Sequence, residues 1–185
     1  ATGKAPIRET LAALFLQKMK FDGSQVIYDP MCGSGTFLCE ALMIAKNIPP
    51  SIKRKSFGLT NHKNYNHNLW MKLKENSIKE IKNENPNIQG FDISKKMTYA
   101  TKNNLKNILN NNNFKVENKD FFQLNPPNIK QTLLINPPYN IRILQEKSHE
   151  FYNNIGSRLK HNWSGSEAWI LCGDLEGLKH IGLKP

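Results

Sequence analysis

Gln25-Val26-Ile27-Tyr28-Asp29-Pro30-Met31-Cys32-Gly33-Ser34-Gly35-Thr36 decides the fold. Gln25 to Asp29 reads as a short strand, and Pro30 to Thr36 as a tight glycine-rich turn. A helix follows, because Phe37, Leu38, Ala41, Leu42 and Ala45 keep helical spacing. Glycines permit positive φ and let a ligand approach the backbone closely, and the N–H groups at a helix start favour an anionic group such as a carboxylate. Strand, glycine turn and helix in this order predict a nucleotide-type site in an α/β domain.

What the loop lacks narrows the ligand. A dinucleotide fingerprint places a third glycine for helix packing where this chain has Leu38, and a phosphate loop needs Gly-Lys-Ser/Thr, which does not occur. The octapeptide Asp29 to Thr36 instead suits S-adenosylmethionine, a nucleoside that carries an amino acid and no pyrophosphate. Two further acids fall at the ends of later strands. Asn87 to Asp92 ends in a carboxylate able to take both ribose hydroxyls as charge-assisted hydrogen bonds. Phe114 to Phe121 reads as a third strand whose end carries Asp120, an acceptor for an adenine amino group, with Phe121 or Ile93 covering a ring face.

The fourth strand, Thr132-Leu133-Leu134-Ile135, runs into Asn136-Pro137-Pro138-Tyr139. The side-chain oxygen of Asn136 and the carbonyl of Pro137, held by proline geometry, are two acceptors for one amine. Tyr139 is an aromatic surface for a flat base, a contact of about 1–3 kcal/mol. An exocyclic amine of a base is a poor nucleophile while its lone pair is conjugated with the ring. Acceptors that strengthen as the nitrogen turns pyramidal favour the transition state over the ground state.

With Asp29 to Thr36, Asp92, Asp120 and Asn136 to Tyr139 in this order, the chain resembles the class I S-adenosylmethionine-dependent methyltransferases that modify exocyclic amines of bases. More narrowly it is similar to the catalytic domain of the bacterial 23S ribosomal RNA guanine 2-amino methyltransferases, a group also described as adenine-specific DNA methylases. Ala5-Pro6-Ile7-Arg8-Glu9-Thr10-Leu11-Ala12 adds to that narrower likeness. The resemblance implies a Rossmann-like, mainly parallel sheet with helices on both faces. It implies S-adenosyl-L-methionine as cofactor, with Asp29, Gly33 and Gly35 around its methionine part, Pro30, Cys32, Ser34 and Thr36 as cofactor-binding neighbours in the same loop, and Arg8 and Thr10 near its amino-acid end. Asp92 is implied at the ribose, Asp120 at the adenine with Phe121 or Ile93 over a ring face, and Asn136, Pro137, Pro138 and Tyr139 at the target base. It implies ribosomal RNA as partner and no metal.

The chain also departs from that pattern. After Tyr139 it continues Asn140-Ile141-Arg142, where the family commonly has Gly and an acid. There is no room for the family's RNA-binding THUMP domain. Gly182-Leu183-Lys184-Pro185 stands where the last antiparallel hairpin of the sheet is expected to begin. The chain therefore reads as part of a longer protein.

Composition sets the outer bounds. At 185 residues the length prior gives one domain, large enough to bury about 70% of its unfolded surface. No eighteen-residue apolar run and no basic-then-apolar leader is present, so the expected compartment is the cytoplasm. Cys32, Cys39 and Cys172 are odd in number and lack zinc or redox spacing, which predicts reduced thiols. A net charge of +11 suits a polyanion. It comes from 22 Lys and 4 Arg beside 24 Asn, an enrichment that nucleotide bias also produces. Lys53-Arg54-Lys55 and the group Lys95, Lys96, Lys102 and Lys106 are the phosphate-contact candidates.

Further along the chain, helices are predicted from about Pro6 to Met19 with an apolar face of Leu11, Leu14 and Phe15, and over Asn66 to Lys82 around Leu69, Trp70, Leu73 and Ile81. Others are predicted after a Ser94 cap, with Met97, Ala100, Leu105 and Ile108 inward, and from about Leu144 to Leu159. Glu167 to Cys172 is a fifth strand. The rival functions are an adenine amino methyltransferase acting on DNA, a transfer-RNA guanine methyltransferase, and a non-catalytic RNA-binding module.

Overall fold

The computed structural model describes residues 7–184 apart from 51, 110–113, 128 and 139–144, and apart from the side chains of 145–147. Among the described residues, β1 (Ile27–Asp29), β2 (Ile88–Asp92), β3 (Lys115–Asn118), β4 (Thr132–Ile135) and β5 (Glu167–Ile170) form one sheet in the order β3-β2-β1-β4-β5. Every pairing in it is parallel. The helices are α1 (Glu9–Lys18), α2 (Thr36–Ala45), α3 (His67–Lys79), α4 (Lys95–Leu109), α5 (Gln145–Asn162) and α6 (Leu175–Leu178). Order reversal on either side of β1 creates a switch point, and a ligand crevice forms there outside the carboxyl ends of the strands.

Strand side chains alternate between two cores because the pleat has a period of two. Ile27, Ile88, Val116 and Leu134 face the side covered by α1, α2 and α4, where Ala12, Leu16, Leu38, Leu42 and Leu105 pack. Tyr28, Phe91, Leu133 and Ile135 face the other side, covered by α5 and by the 3-10 turn Phe121–Gln123. On that side Tyr28 stacks on Phe91 at 4.5 Å and leans on Trp163 at 5.1 Å.

The helical faces differ from those the spacing predicts. In α1 the buried positions are Ala12 and Leu16, while Leu11 and Leu14 are exposed. In α3 no residue is buried, and Leu69 and Leu73 are both more than half exposed. In α4 the buried residues are Thr98, Thr101 and Leu105. The third strand ends at Asn118 rather than at Asp120, and Asp120 instead caps the following turn by accepting from Phe122 N at 3.0 Å.

The stretch between α2 and β2 is anchored by one buried lysine. Lys46, 5% exposed, donates from Nζ to the carbonyls of Asn83 and Glu84 at 2.9 Å each. This charge is solvated by backbone oxygens in place of water, which fixes where the insertion returns to the sheet. No described helix is long and apolar enough to cross a membrane.

Candidate functional site

The loop after β1 is held from three directions. Cys32 N donates to Phe91 O at 2.9 Å and Gly35 N to Cys32 O at 2.8 Å, which folds the turn over the end of β2. Asp92 Oδ2 accepts from Gly33 N at 2.9 Å and Asp92 Oδ1 from Ser94 N at 2.8 Å. From α4, Thr101 Oγ1 donates to Gly33 O at 2.8 Å and Asn104 Nδ2 to Ser34 O at 2.9 Å. The loop is therefore set before any ligand arrives.

Its two glycines do different jobs. Gly33 has φ +55, and a Cβ built there meets no atom within 4 Å, so only hydrogen stands between the backbone and open space. Gly35 has φ +82 and caps the start of α2, and its Cβ would lie 2.5 Å from Thr101 Cγ2. The first glycine leaves a ligand cradle, and the second lets α4 close on the turn.

A cleft of about 560 Å³ runs over these groups, within the range of small-molecule sites. Of the residues singled out by sequence, Asp29, Pro30, Cys32, Gly33, Ser34, Thr36, Asp92, Ile93, Asp120, Phe121, Asn136, Pro137 and Pro138 all line it. Gly35 does not, being spent on packing. Arg8 and Thr10 do not line it either; both are exposed at the start of α1, and their neighbour Ile7 lines the cleft instead. Tyr139 and Asn140-Ile141-Arg142 lie outside the described residues. The sequence reading did not single out Met31, Phe37, Met97, Phe122 and Phe151, which complete the apolar wall. Three had a signal in their place, Met31 inside the glycine-rich turn, Phe37 directly after it and Phe122 directly after Phe121.

Asp29 sits at the end of β1 with 1% exposure, and its Oδ1 accepts from Met31 N at 3.3 Å. Burial pushes its carboxyl up to about 8, against the opposing Met31 N–H and with a further upward push from nearby Asp92. Because the folded value lies above the ordinary 3.8, the native state holds a proton that the unfolded chain has lost. The stabilising contribution is therefore complete below about pH 4 and is lost as pH rises towards about 8, with a slope of up to about 1.4 kcal/mol per pH unit. Denaturant titrations of the ligand-free chain across that window should show the decline, and Asp29→Asn should flatten it. An unchanged slope in the variant would locate the titration elsewhere.

Cys32 is buried, with its Sγ 3.7 Å from Thr101 Oγ1, and burial pushes its thiol pKa well up. A nucleophilic thiolate needs the opposite shift, so this side chain is packing. Among the described residues no group of three or more His, Cys, Asp or Glu is arranged to hold a metal ion.

Comparison with known proteins places this geometry. The family model UPF0020, described as RMKL-like, methyltransferase domain, matches residues 1–179. A relative from Synechocystis, "Putative RNA methyltransferase slr0064", is 32% identical over 186 residues, covering 100% of this chain and 48% of its own. "Ribosomal RNA large subunit methyltransferase K/L" of Cellvibrio japonicus is 31% identical over 197 residues, covering 98% of this chain and 26% of its own. The crystal structure of "SMU.472, a putative methyltransferase complexed with SAH" superposes with a TM-score of 0.86 at 25% identity, over 98% of this chain and 48% of that one. The chain thus spans from about a quarter to about half the length of the relatives it matches.

Proposed function

Since this chain belongs to the family of RMKL-like methyltransferase domains, we propose that it transfers a methyl group from S-adenosyl-L-methionine to an exocyclic amino nitrogen of a nucleic-acid base. The favoured target is the 2-amino group of a guanine in 23S ribosomal RNA. The single observation that carries the reading is the continuity of the cleft: the glycine turn and Asn136-Pro137-Pro138 line one cavity.

The residues present fit the cofactor. The open cradle above Gly33 admits a ligand against the backbone, and the buried Asp29 carboxyl offers a partner to a cationic group. Asp92 already accepts two backbone N–H bonds, but each carboxylate oxygen keeps a second lone pair for a ribose hydroxyl. Asp120 and Ile93 flank the far end of the cleft, where an adenine would lie. When bound, S-adenosyl-L-methionine supplies an electrophilic methyl group.

The chain's own residues then have defined tasks. A cation beside Asp29 favours its ionised form, so ligand capture near neutral pH displaces a proton from that carboxyl. Asn136 follows directly on Ile135, which is fully buried and receives Leu171 N on its carbonyl at 2.9 Å. The amide is therefore presented from the end of a central strand that β1 pairs as far as Leu133 and β5 as far as Ile135. Its oxygen and the Pro137 carbonyl orient the acceptor amine and draw its lone pair out of conjugation, and the product nitrogen then loses its proton to solvent. In a folded RNA the base must first leave its stack.

The test is label transfer from tritiated S-adenosylmethionine to RNA and to DNA by the purified chain. Label in RNA, released on digestion as 2-methylguanosine, is the expected result. Label in DNA adenine would assign the other polymer, and cofactor binding with label in neither would reduce the chain to a binding module.

A further inference from the structure

The outer face of α4 is a basic stripe that begins beside the cleft. Lys95, Lys102 and Lys106 are exposed and fall within about 40° of one another on the helix, and Tyr99, 68% exposed, lies in the same line. Thr98, Thr101 and Leu105 take the buried face. At its upper end the stripe meets the cleft, which Asp92, Ile93 and Met97 help to line. At its lower end Lys53 of the insertion donates from Nζ to Asn107 O, so the basic segment Lys53-Arg54-Lys55 adjoins it.

The neighbouring edge strand adds charge. Residues 93–119 hold six lysines, at 95, 96, 102, 106, 115 and 119, against one acid, Glu117. Lys119 first, and then Lys115 and Lys102, hold the Glu117 carboxyl pKa below its ordinary value. Lys119 bridges Glu117 at 2.6 Å; Lys95, Lys102 and Lys106 are in none of the salt bridges among the described residues. Beyond the ends of β2 and β3 lies a second, polar hollow of about 400 Å³. It is lined by Ile93, Asn118, Lys119, Asp120 and Gln123, and it shares Ile93 and Asp120 with the main cleft.

We infer that the face formed by Lys95, Tyr99, Lys102 and Lys106, with the adjoining hollow at Lys119, is a docking track for a single-stranded segment of the RNA substrate. This rests on the methyl-transfer reading above and names the surface that captures the polymer. Three features favour such an occupant. Along α4 itself the charge is positive without interleaved acids, so the stripe complements phosphates, while the neighbouring acids, Glu117 on β3 and Asp120 at the hollow, lie off the helix. Exposed Tyr99 offers a flat ring of the kind on which unpaired bases stack, and Ile93, 74% exposed, adds apolar surface at the rim of the cleft. The track also reaches the rim of the cleft at Asp92, Ile93 and Met97, so a strand lying on it has one end beside the cavity that Asn136 to Pro138 also line.

The experiment measures RNA affinity against salt by fluorescence anisotropy, using a labelled single-stranded oligonucleotide and the DNA of the same sequence. Replacing Lys95, Lys102 and Lys106 together by Gln should reduce the slope of log K against log salt by about 2, the single-strand value for three phosphate contacts. Tyr99→Ala should weaken binding about tenfold or more at any salt. Cofactor affinity should not change in either. The control triple Lys63→Gln, Lys72→Gln, Lys79→Gln removes the same charge from exposed positions on or just before α3 and should leave most of the slope intact.

Equal slopes for the two triple variants would overturn the track, as would tighter α4-dependent binding of DNA than of RNA. If the wild type methylates RNA while the α4 variant keeps its affinity and KM, the track alone fails. If the wild type neither binds nor methylates RNA, the track falls together with the reading beneath it.

Discussion

Asn136→Ala is expected to lower single-turnover methyl transfer by about 10²–10³-fold, the usual loss when one group matched to developing charge is removed, while cofactor affinity changes by less than about twofold. The side chain acts where charge grows. In the ground state the base's amine shares its lone pair with the ring and gains little from an acceptor. As the nitrogen attacks, it becomes pyramidal and positive, and the bonds to the Asn136 amide oxygen and the Pro137 carbonyl strengthen. The energy appears in the transition state and so in kcat. Asn136→Asp keeps an acceptor at that place and should retain far more activity than the alanine variant, which separates a lost bond from a collapsed loop. Calorimetric cofactor binding and label transfer on the same preparations check both halves. Full activity in Asn136→Ala would remove the residue from the mechanism.

The sheet and most of the cleft were legible because they rest on signals within a few residues of chain. Asp29 to Thr36 names its own turn: a strand that ends in an acid, two glycines and an apolar helix leave few other local structures. Asn136-Pro137-Pro138 likewise carries its geometry in its prolines. The helix faces were less legible. In α4 the spacing picks out Met97, Ala100, Leu105 and Ile108; Leu105 is fully buried and Ile108 packs against the core, but Met97 and Ala100 are only half-buried while Thr98 and Thr101 are buried. Their hydroxyls are satisfied, Thr98 donating to Lys95 O at 3.0 Å and Thr101 to Gly33 O, so burial exacts no unpaired polar group. A hydropathy pattern cannot see that bond, because its acceptor lies 68 residues away. Met97 is turned towards the cleft for the complementary reason, as part of its apolar wall.

The insertion between α2 and β2 shows the same limit from the other side. Leu69 and Leu73 keep the spacing of a core face, but α3 has no buried residue; the contact of its Trp70 with the Phe57 ring at 5.1 Å stays within the insertion, and the Lys46 anchor holds the chain just after the helix. Periodicity reports that a helix forms. Whether its apolar stripe finds a partner depends on where the chain's other elements lie, which no local window contains. Arg8 and Thr10 illustrate this at the site itself: the opening segment does reach the cleft, through Ile7, while those two polar side chains stand on the exposed side of the helix start.

Asp92→Ala is the second large effect, and it should act on folding and on ligand capture together. The carboxylate is the clamp between β2, the glycine turn and the start of α4, with one oxygen on Gly33 N–H and the other on Ser94 N–H. Hydrogen bonds to a charged group contribute about 1.5–3 kcal/mol each, and removing the acceptor leaves both donors partly buried and unmatched. A loss of about 3 kcal/mol of stability is expected, together with a fall of at least about 100-fold in cofactor affinity as the ribose acceptors vanish and the cradle above Gly33 loosens. Asp92→Asn separates the two contributions. Its carbonyl oxygen still serves one N–H, but the amide offers no negative charge and only one acceptor atom, so both losses should be intermediate. If affinity falls in Asp92→Ala while the denaturant midpoint is unchanged, Thr101 and Asn104 suffice to hold the turn and the acid serves the ligand alone. If neither changes, the ribose is bound elsewhere, and the polarity of the whole cleft, with the amino acid at Asp29 and the adenine at Asp120, has been assigned the wrong way round.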